Sequence, residues 1–542
     1  MKRMTGGRAV VEALKAEGIE HVFGIVGTHS IHLFDGLVGQ TGIRLITPRH
    51  EQGASMMAAG YARASGKIAA CFTVPGPGLT NALTGIGMAY SESAPVLIVT
   101  GQNALPLLDR EGEHFHELRN SLAVAGSLCG HTARVSRPED VPAAVREAMR
   151  AMRLRRPRPA FIEVPLDVSG REAEVELLPQ EQFGRPGGDP AAIERASQAL
   201  KSANRPFIFA GGGVASAEGA KPLERLAELL GAPVATSAYA KGILSDRHRL
   251  ALGDGWGRTD VYDEILSQAD LALIVGSRLD VISDAQQGAR FPKRIVQIDI
   301  DPIVVGQRCA VEVGIVGDAA LVMSAIADRL PNKPGGRECW LDVADFRRRK
   351  RGRLAELAGS VLPLTEDLRA ALPDETIFLD DLTLVGYWAP ALLECYRPRT
   401  LLHAGTYGTL GYALPAAIGA KIACPNQPVV AICGDGGLLY TVQELATART
   451  ENLDLIVLVF NDNAFGALKT YQDRHFRGRR VGSDLTNPDF VKLGEAFGVK
   501  SARVEPAGLG ATVRSALQTG GTWLIEIPFA PGPPASIPPW MT

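Results

Sequence analysis

No stretch of the sequence holds the roughly 18 uninterrupted apolar residues that a membrane-spanning helix needs, so no membrane partner is expected. The opening MKRMTGGRAVVEALKAEGIEHVFG also lacks the apolar centre of a secretory signal, and a cytoplasmic protein is the expectation. The seven cysteines (Cys71, Cys129, Cys309, Cys339, Cys395, Cys424 and Cys433) include no CxxC pair and no histidine-rich neighbour. That argues against a disulfide framework or a zinc site and for buried free thiols. Basic residues are in no excess either, since the formal net charge is −2. With no zinc-finger or aromatic-basic motif, no nucleic-acid partner is expected. The cluster Arg153, Arg155, Arg156 and Arg158 is interrupted by two prolines and reads as a solvated surface.

What is present is an ordinary globular balance, 46% hydrophobic and 21% charged, in a chain of 542 residues. That length exceeds one hydrophobic core and suggests about three domains. Short apolar strands alternate with helical stretches throughout. HVFGIV, RLIT, IAACFTV, APVLIVTG and PAFIEVP fill the first block; RPFIFAGGG, APVATS, LALIVGSRL and RIVQIDID fill the second. TIFLDD, TLLHAG, PVVAICGDGG, LDLIVLVFND and TWLIEIP fill the third. Such alternation predicts parallel sheets covered on both faces, hence an α/β fold of three doubly wound domains over residues 1–170, 186–335 and 360–542. LLPQEQFGRPGGDPAA reads as the first linker; PNKPGGRE and the charged FRRRKRGR mark the second boundary.

Two motifs in the third block carry chemistry. AICGDGG directly follows one apolar strand, and VFNDNAFG follows the next. In open α/β sheets, ligands bind at the carboxyl ends of the strands. Gly434, Gly436 and Gly437 let backbone N–H groups approach an anionic phosphate at a helix N-terminus. Asp435 and Asp462 offer hard oxygen ligands, and the Ala464 carbonyl offers another, a set suited to magnesium completed by phosphate and water. Taken singly, GDGG is a tight turn and NDN a cap. Joined at this spacing, they resemble the diphosphate and metal signature of the thiamine-diphosphate enzymes, with Gly466 closing the motif. Members of that family commonly carry Asn where this chain has Asp462; both are oxygen ligands, so the departure alters the charge of the site.

The resemblance extends over nearly the whole chain. PRHEQGASMMAAGYARASGK is similar to the family's first-domain helix, whose essential glutamate matches Glu51. It implies that Glu51, flanked by His50, hydrogen-bonds the cofactor's pyrimidine nitrogen and drives the 4'-amino group towards its imino form. TVPGPGLTNALTGIGMAYSESAPVLIVTGQ looks like the following strand, turn and helix, with Asn81 in the pocket wall. GTYGTLGYALPAAIGA resembles the cofactor-bending loop, in which Gly408 offers a carbonyl to the 4'-amino group and Leu410 is the apolar wedge. The implied cofactors are thiamine diphosphate and Mg2+. The implied domains are pyrimidine-binding, central and diphosphate-binding, and the implied assembly is a homodimer or homotetramer with sites between subunits.

Within the family, QELAT, LPAAIGAK, PAFIEVPLDV and QIDIDP resemble the acetolactate synthases and related 2-oxo acid decarboxylases. The implied reaction is non-oxidative decarboxylation of a 2-oxo acid, carboligation through an enamine, or both. Two strings depart. Thr383, Leu384 and Val385 stand where acetolactate synthases carry Gly-Gln-His, and Ser277, Arg278, Leu279, Asp280 and Val281 stand in place of an Arg-Phe-Asp-Asp-Arg string beside flavin. FAD is therefore the weaker expectation, although RPFIFAGGG suits a nucleotide phosphate.

His29 in GIVGTHS, with His114 and His116 in EHFHELRN, resembles the benzaldehyde lyase, cyclohexanedione hydrolase and guanidino-2-oxo acid decarboxylase branches. His29 and His116 are candidate catalytic residues, because an imidazole shuttles protons near neutrality. His114 reads more readily as a turn or surface residue. Glu117 and Asp109 suit a cationic substrate tail or simply water. Three other readings stay open: a lyase or hydrolase acting on another carbonyl, a silent nucleotide-binding relic, and a dehydrogenase suggested by Gly211 to Gly213. The last is weak, because AGGGVASAEG lacks the spaced dinucleotide fingerprint.

Overall fold

The strands expected from sequence are those buried on both faces. Val96–Gln102 and Val429–Gly434, for instance, are buried along their whole length, as central strands of a helix-covered parallel sheet must be. The computed structural model describes residues 1–108, 112, 114–255, 260–279, 291–331 and 335–530. They form three six-stranded parallel sheets. Across the first run Arg44–Ile46, His21–Gly24, Ala69–Thr73, Val96–Gln102, Ala160–Pro165 and His131–Arg134. Across the second run Ala251–Asp254, Val234–Thr236, Pro206–Ala210, Leu271–Val275, Ile295–Asp299 and Val313–Val316. Across the third run Leu401–His403, Ile377–Asp380, Val429–Gly434, Leu455–Asn461, Thr522–Pro528 and Lys500–Arg503. Numbered along the chain within each sheet, the first and third share the order 2-1-3-4-6-5, while the second is 3-2-1-4-5-6. The three doubly wound α/β domains expected from sequence are therefore present, each with the crevice where its strand order reverses. No helix among the described residues is long and apolar enough to cross a membrane.

The edge strands Ala251–Asp254, His131–Arg134, Val313–Val316 and Lys500–Arg503 were not expected. An edge strand has one sheet neighbour and needs less apolar surface, so its composition reads as loop. His131–Arg134 is half-buried throughout, and Lys500–Arg503 is exposed at both ends. The charged FRRRKRGR stretch is also structured: it lies inside the helix Val343–Ala358. Its Arg347 and Lys350 donate to the carbonyls of Ala251 (2.9 Å), Leu252 (3.0 Å) and Asp254 (2.8 Å), tying the helix to the central sheet. Of the linker expected over 177–192, residues 177–189 have no regular structure and the last three open the helix Pro190–Ser202.

The N- and C-terminal domains share one core. Met56, Met57 and Ala59 of the helix Glu51–Ser65 pack with Ala416, Ala417 and Ala420 of the helix Ala413–Ala423. The approach is close enough that a Cβ on Gly60 would overlap the Ala416 carbonyl, and one on Gly419 the Met57 carbonyl. Backbone cannot yield as a side-chain tip can. Gly419→Ala is therefore expected to destabilise the protein by about 1–3 kcal/mol through overpacking, read as a lower unfolding midpoint in denaturant. A midpoint equal to the wild type would show that the helices can separate freely. All seven cysteines are free thiols, with Cys71, Cys129, Cys395 and Cys433 buried.

Candidate active site

Adjacent strands Val429–Gly434 and Leu455–Asn461 deliver Asp435 and Asp462 to neighbouring strand ends. Asp435 is 2% exposed; its Oδ2 accepts from the Ala464 amide at 3.2 Å and from Asn487 Nδ2 at 2.6 Å. Asp462 also takes a bond from the Ala464 amide, so the two carboxyls converge on one backbone group. Burial raises the proton affinity of Asp435. Burial and then the neighbouring Asp435 push Asp462 up to about 6. Among the described residues neither acid forms an ion pair, and nearby Lys469 is engaged by Asp484 at 2.7 Å. Two drying, mutually repelling carboxylates cost free energy that a cation would relieve. Among the described residues no three His, Cys, Asp or Glu side chains gather for a metal, so any ion here needs oxygens beyond protein side chains.

The glycines act mainly by leaving room. A Cβ on Gly436 would lie 2.7 Å from the Phe465 ring, and one on Gly437 2.9 Å from Asp381 Oδ2. One on Gly434 would meet Thr383 Oγ1 at 3.0 Å, and one on Gly466 would overlap Asp462 Oδ2. The helix opened by GDGG is a single turn, Asp435–Leu438, shorter than the sequence suggested. Ala464 is clipped by a bridge to Asp484, and the Phe465 amide donates to Ser483 at 2.8 Å.

The loop 405–411 reaches the same strand ends. Gly408 has φ +74° and is exposed, while Leu410 is half-buried. Its ends are held by two residues that sequence reasoning passed over. The Thr406 amide donates to Tyr239 Oη at 2.7 Å, and the Gly411 amide donates to Asp381 Oδ2 at 2.9 Å. Burial pushes Asp381 up to about 7. Its signal was the doubled acid of LDD at a strand end, beside the Thr383, Leu384 and Val385 departure. Asn487 was also missed; only the turn signal Asn-Pro flagged its place.

The other half-site belongs to the N-terminal domain. His50 caps the helix Glu51–Ser65, its Nδ1 accepting from the Gln52 amide at 3.1 Å. Glu51 Oε2 accepts from Asn81 Nδ2 at 3.0 Å, and Asn81 sits on the helix Pro77–Glu92 that follows the GPG turn. Gly76 in that turn has φ +56°, and a Cβ on it would meet the His116 carbonyl at 2.6 Å. The His116 and His29 rings lie 5.1 Å apart, so both candidate histidines join the wall that holds Asn81 and Glu51. Burial and then the neighbouring His29 lower the proton affinity of His116. Glu117 does not project as a free acid: its Oε2 accepts from the His114 amide at 2.6 Å and closes a turn. Asp109 lies outside the described residues, as do Asp280 and Val281.

Within one chain, no hydrogen bond or ion pair among the described residues joins Glu51 to Asp435 or Asp462. Beside the shared core, one link between the halves is Glu444 of QELAT, buried in the C-terminal domain. It accepts from the Arg49 amide at 3.1 Å and from Thr447 Oγ1 at 2.7 Å, at the start of the Glu51 helix.

A separate cavity of about 580 Å³ lies between the three domains, lined by Gly212, Gly213, Ser277 and Arg278 with Arg156 and Arg399. Its walls include none of Glu51, Asp435 and Asp462. The cavity corrects one expectation. The arginine cluster is only in part a solvated face: Arg155 is exposed, but Arg156 donates to Ser93 Oγ at 2.8 Å, and Arg158 lies over the Tyr90 ring. Burial and then Arg278 bring Arg156 down to about 10.

Residues 4–123 match the thiamine pyrophosphate enzyme N-terminal TPP-binding domain, 193–326 its central domain and 381–527 its C-terminal TPP-binding domain. The chain is 35% identical over 549 aligned residues to a probable 2-ketoarginine decarboxylase of Pseudomonas aeruginosa, covering 98% of this chain and 95% of that protein. It is 32% identical to a probable acetolactate synthase large subunit of Methanocaldococcus jannaschii, covering 97% and 92%. It is also 32% identical to the acetolactate synthase large subunit of Corynebacterium glutamicum, covering 93% and 83%.

Proposed function

The chain belongs to the thiamine pyrophosphate enzyme family, and on that premise we propose that it decarboxylates or ligates a small 2-oxo acid with thiamine diphosphate and magnesium. The observation carrying this reading is the pair of raised carboxyls, Asp435 and Asp462, at adjacent strand ends. They and the Ala464 carbonyl would hold the magnesium, and Gly434, Gly436 and Gly437 would leave space for the diphosphate. Gly408 and Leu410 would shape the cofactor's bend. Bound there, thiamine diphosphate supplies an electron sink next to the substrate carbonyl. Glu51 shares a proton with the pyrimidine ring, oriented by Asn81. His29 and His116 exchange protons with the reacting groups.

We propose that Glu51 serves a cofactor held by a second copy of this chain. Exposed apolar residues support such a joint: Val26, Ile31 and Phe115 flank the histidines, and Leu439 and Tyr440 follow GDGG.

Calorimetric titration with thiamine diphosphate, with and without magnesium, tests the reading; absence of magnesium-dependent binding would sink it. The pH dependence has a definite sign. Burial raises the proton affinity of both Asp435 and Asp462, so protons compete with a metal for these carboxylates. Affinity is therefore expected to climb between about pH 5 and 7.5, with Asp462 titrating near about 6, and to level off above. Without metal, the same raised values cost stability as pH rises. The rise in unfolding temperature on adding cofactor and magnesium is thus expected to be larger at about pH 7.5 than at about pH 5. A panel of 2-oxo acids, with guanidino-bearing members and with or without acceptor aldehydes, separates decarboxylation from ligation.

The arginine-lined cavity favours a second ligand, a phosphorylated nucleotide. FAD stays the weaker form of that reading, since Ser277, Arg278 and Leu279 depart from the flavin-side string. Visible absorbance of the purified protein checks it.

A further inference from the structure

His29 is 6% exposed, and its Nε2 lies 2.9 Å from Asn103 Oδ1. An imidazole nitrogen can donate or accept, so this contact alone leaves the proton unplaced. The other end of Asn103 decides it. Asn103 Nδ2 lies 3.3 Å from the Phe115 carbonyl oxygen, which can only accept. The amide NH2 must therefore face Phe115 and the amide oxygen must face His29. The nitrogen meeting that oxygen has to be an N–H.

The frame around Asn103 is itself directional. Its amide donates to Gln102 Oε1 at 2.8 Å, and Gln102 Nε2 donates to Ser121 Oγ at 3.1 Å. Ser121 then donates to Glu163, a buried carboxylate that Arg134 Nε reaches at 2.5 Å. Each step accepts on one side and donates on the other, ending on a charged pair. Gln102 is therefore fixed in one amide orientation, and with it the backbone that carries Asn103. The second ring nitrogen of His29, Nδ1, is buried and has no hydrogen-bond partner among the described residues. His116 Nδ1, on the facing ring, is in the same condition.

We propose that Asn103 is a positioning residue that holds His29 with its proton on Nε2, leaving Nδ1 as the bare acceptor that takes a proton during turnover. When Nδ1 takes that proton the Nε2–H bond to Asn103 stays in place, and Nδ1 returns the proton as the ring becomes neutral. The N–H bond formed at Nδ1 replaces an O–H bond of the substrate or of a water beside it, whose oxygen keeps the electron pair, and the return transfer remakes an O–H bond as the Nδ1–H bond breaks. The inference rests on the proposed reading for the role of His29; the tautomer itself does not.

The test is nitrogen NMR of histidine-labelled holoenzyme with thiamine diphosphate and magnesium, using His29→Ala to assign the His29 signals, together with kinetics of two variants. Wild type and Asn103→Asp, which keeps an acceptor oxygen, are expected to show only the Nε2–H form. Asn103→Leu, which keeps the shape and removes the acceptor, is expected to show mixed tautomers. Its kcat should fall about 10- to 100-fold at nearly constant KM, with Asn103→Asp losing less. Wild-type signals showing Nδ1–H overturn the proposal, as does an Asn103→Leu variant with unchanged ring shifts and kcat. Should the leucine variant not fold, the wild-type tautomer and the aspartate variant decide the matter. Undiminished turnover by His29→Ala would instead remove the catalytic role through the functional reading, leaving the tautomer measurement to stand alone.

Discussion

Replacing Glu51 with glutamine is expected to lower kcat by about 100- to 10,000-fold, the range for loss of a positioned acid-base group, while magnesium-dependent binding of thiamine diphosphate persists. The local geometry supports a clean result. Glu51 Oε2 accepts from Asn81 at 3.0 Å, a bond that a glutamine oxygen can also take. The helix start is held independently by His50 and by Glu444 from the other domain. The substitution therefore removes the ability to share a proton and little else. Steady-state kinetics beside calorimetry check it, and a variant that turns over at the wild-type rate would show that the pyrimidine is activated by some other group.

Asp435→Ala is expected to have the opposite signature. Magnesium-dependent affinity for the cofactor should fall by at least about 100-fold, since removing even an outer partner of a metal ligand costs about 10- to 100-fold. The loss has two sources. One is the missing oxygen ligand; the other is that Asn487 Nδ2 and the Ala464 amide, both of which donate to Asp435, lose their acceptor. Asp435→Asn separates these, because it keeps an acceptor for the two donors while lowering the charge. It should bind more tightly than the alanine variant and more weakly than the wild type. Affinity in magnesium unchanged by either substitution would remove Asp435 from the site.

The sequence read well wherever the deciding information was local. Inner strands such as Leu455–Asn461 need apolar side chains on both faces, so their runs stand out. GDGG and the NDN turn sit where those runs stop, which puts Asp435 and Asp462 at strand ends. Of the six edge strands, Arg44–Ile46 and Leu401–His403 were legible and four were lost, among them His131–Arg134 and Lys500–Arg503, which are not buried anywhere along their length. The arginine cluster was misread for a related reason. Its proline-broken pattern is that of a loop, and what turns Arg156 and Arg158 inward is Ser93 and Tyr90, distant in sequence but in the same domain.

Residues acting across the chain were harder. Glu444 stands in the sequence only as part of a family string, yet from another domain it accepts from the Arg49 amide just before the helix of Glu51. Asn103 looked like an ordinary residue after a strand, and its meaning comes from Phe115 on one side and His29 on the other. Asp381 is one of two adjacent acids, and nothing local says that one of them holds the Gly411 amide.

Which side chains stand at the ends of the inner strands, and hence which acids and glycines are available for chemistry, was determined by the order of residues alone, because strand and turn propensities act over a few neighbours. Which of those groups meet, how dry they become and which way a proton points was decided by the tertiary fold. Burial and hydrogen-bond direction depend on partners that the 2-1-3 crossing of the sheets brings together from distant parts of the chain.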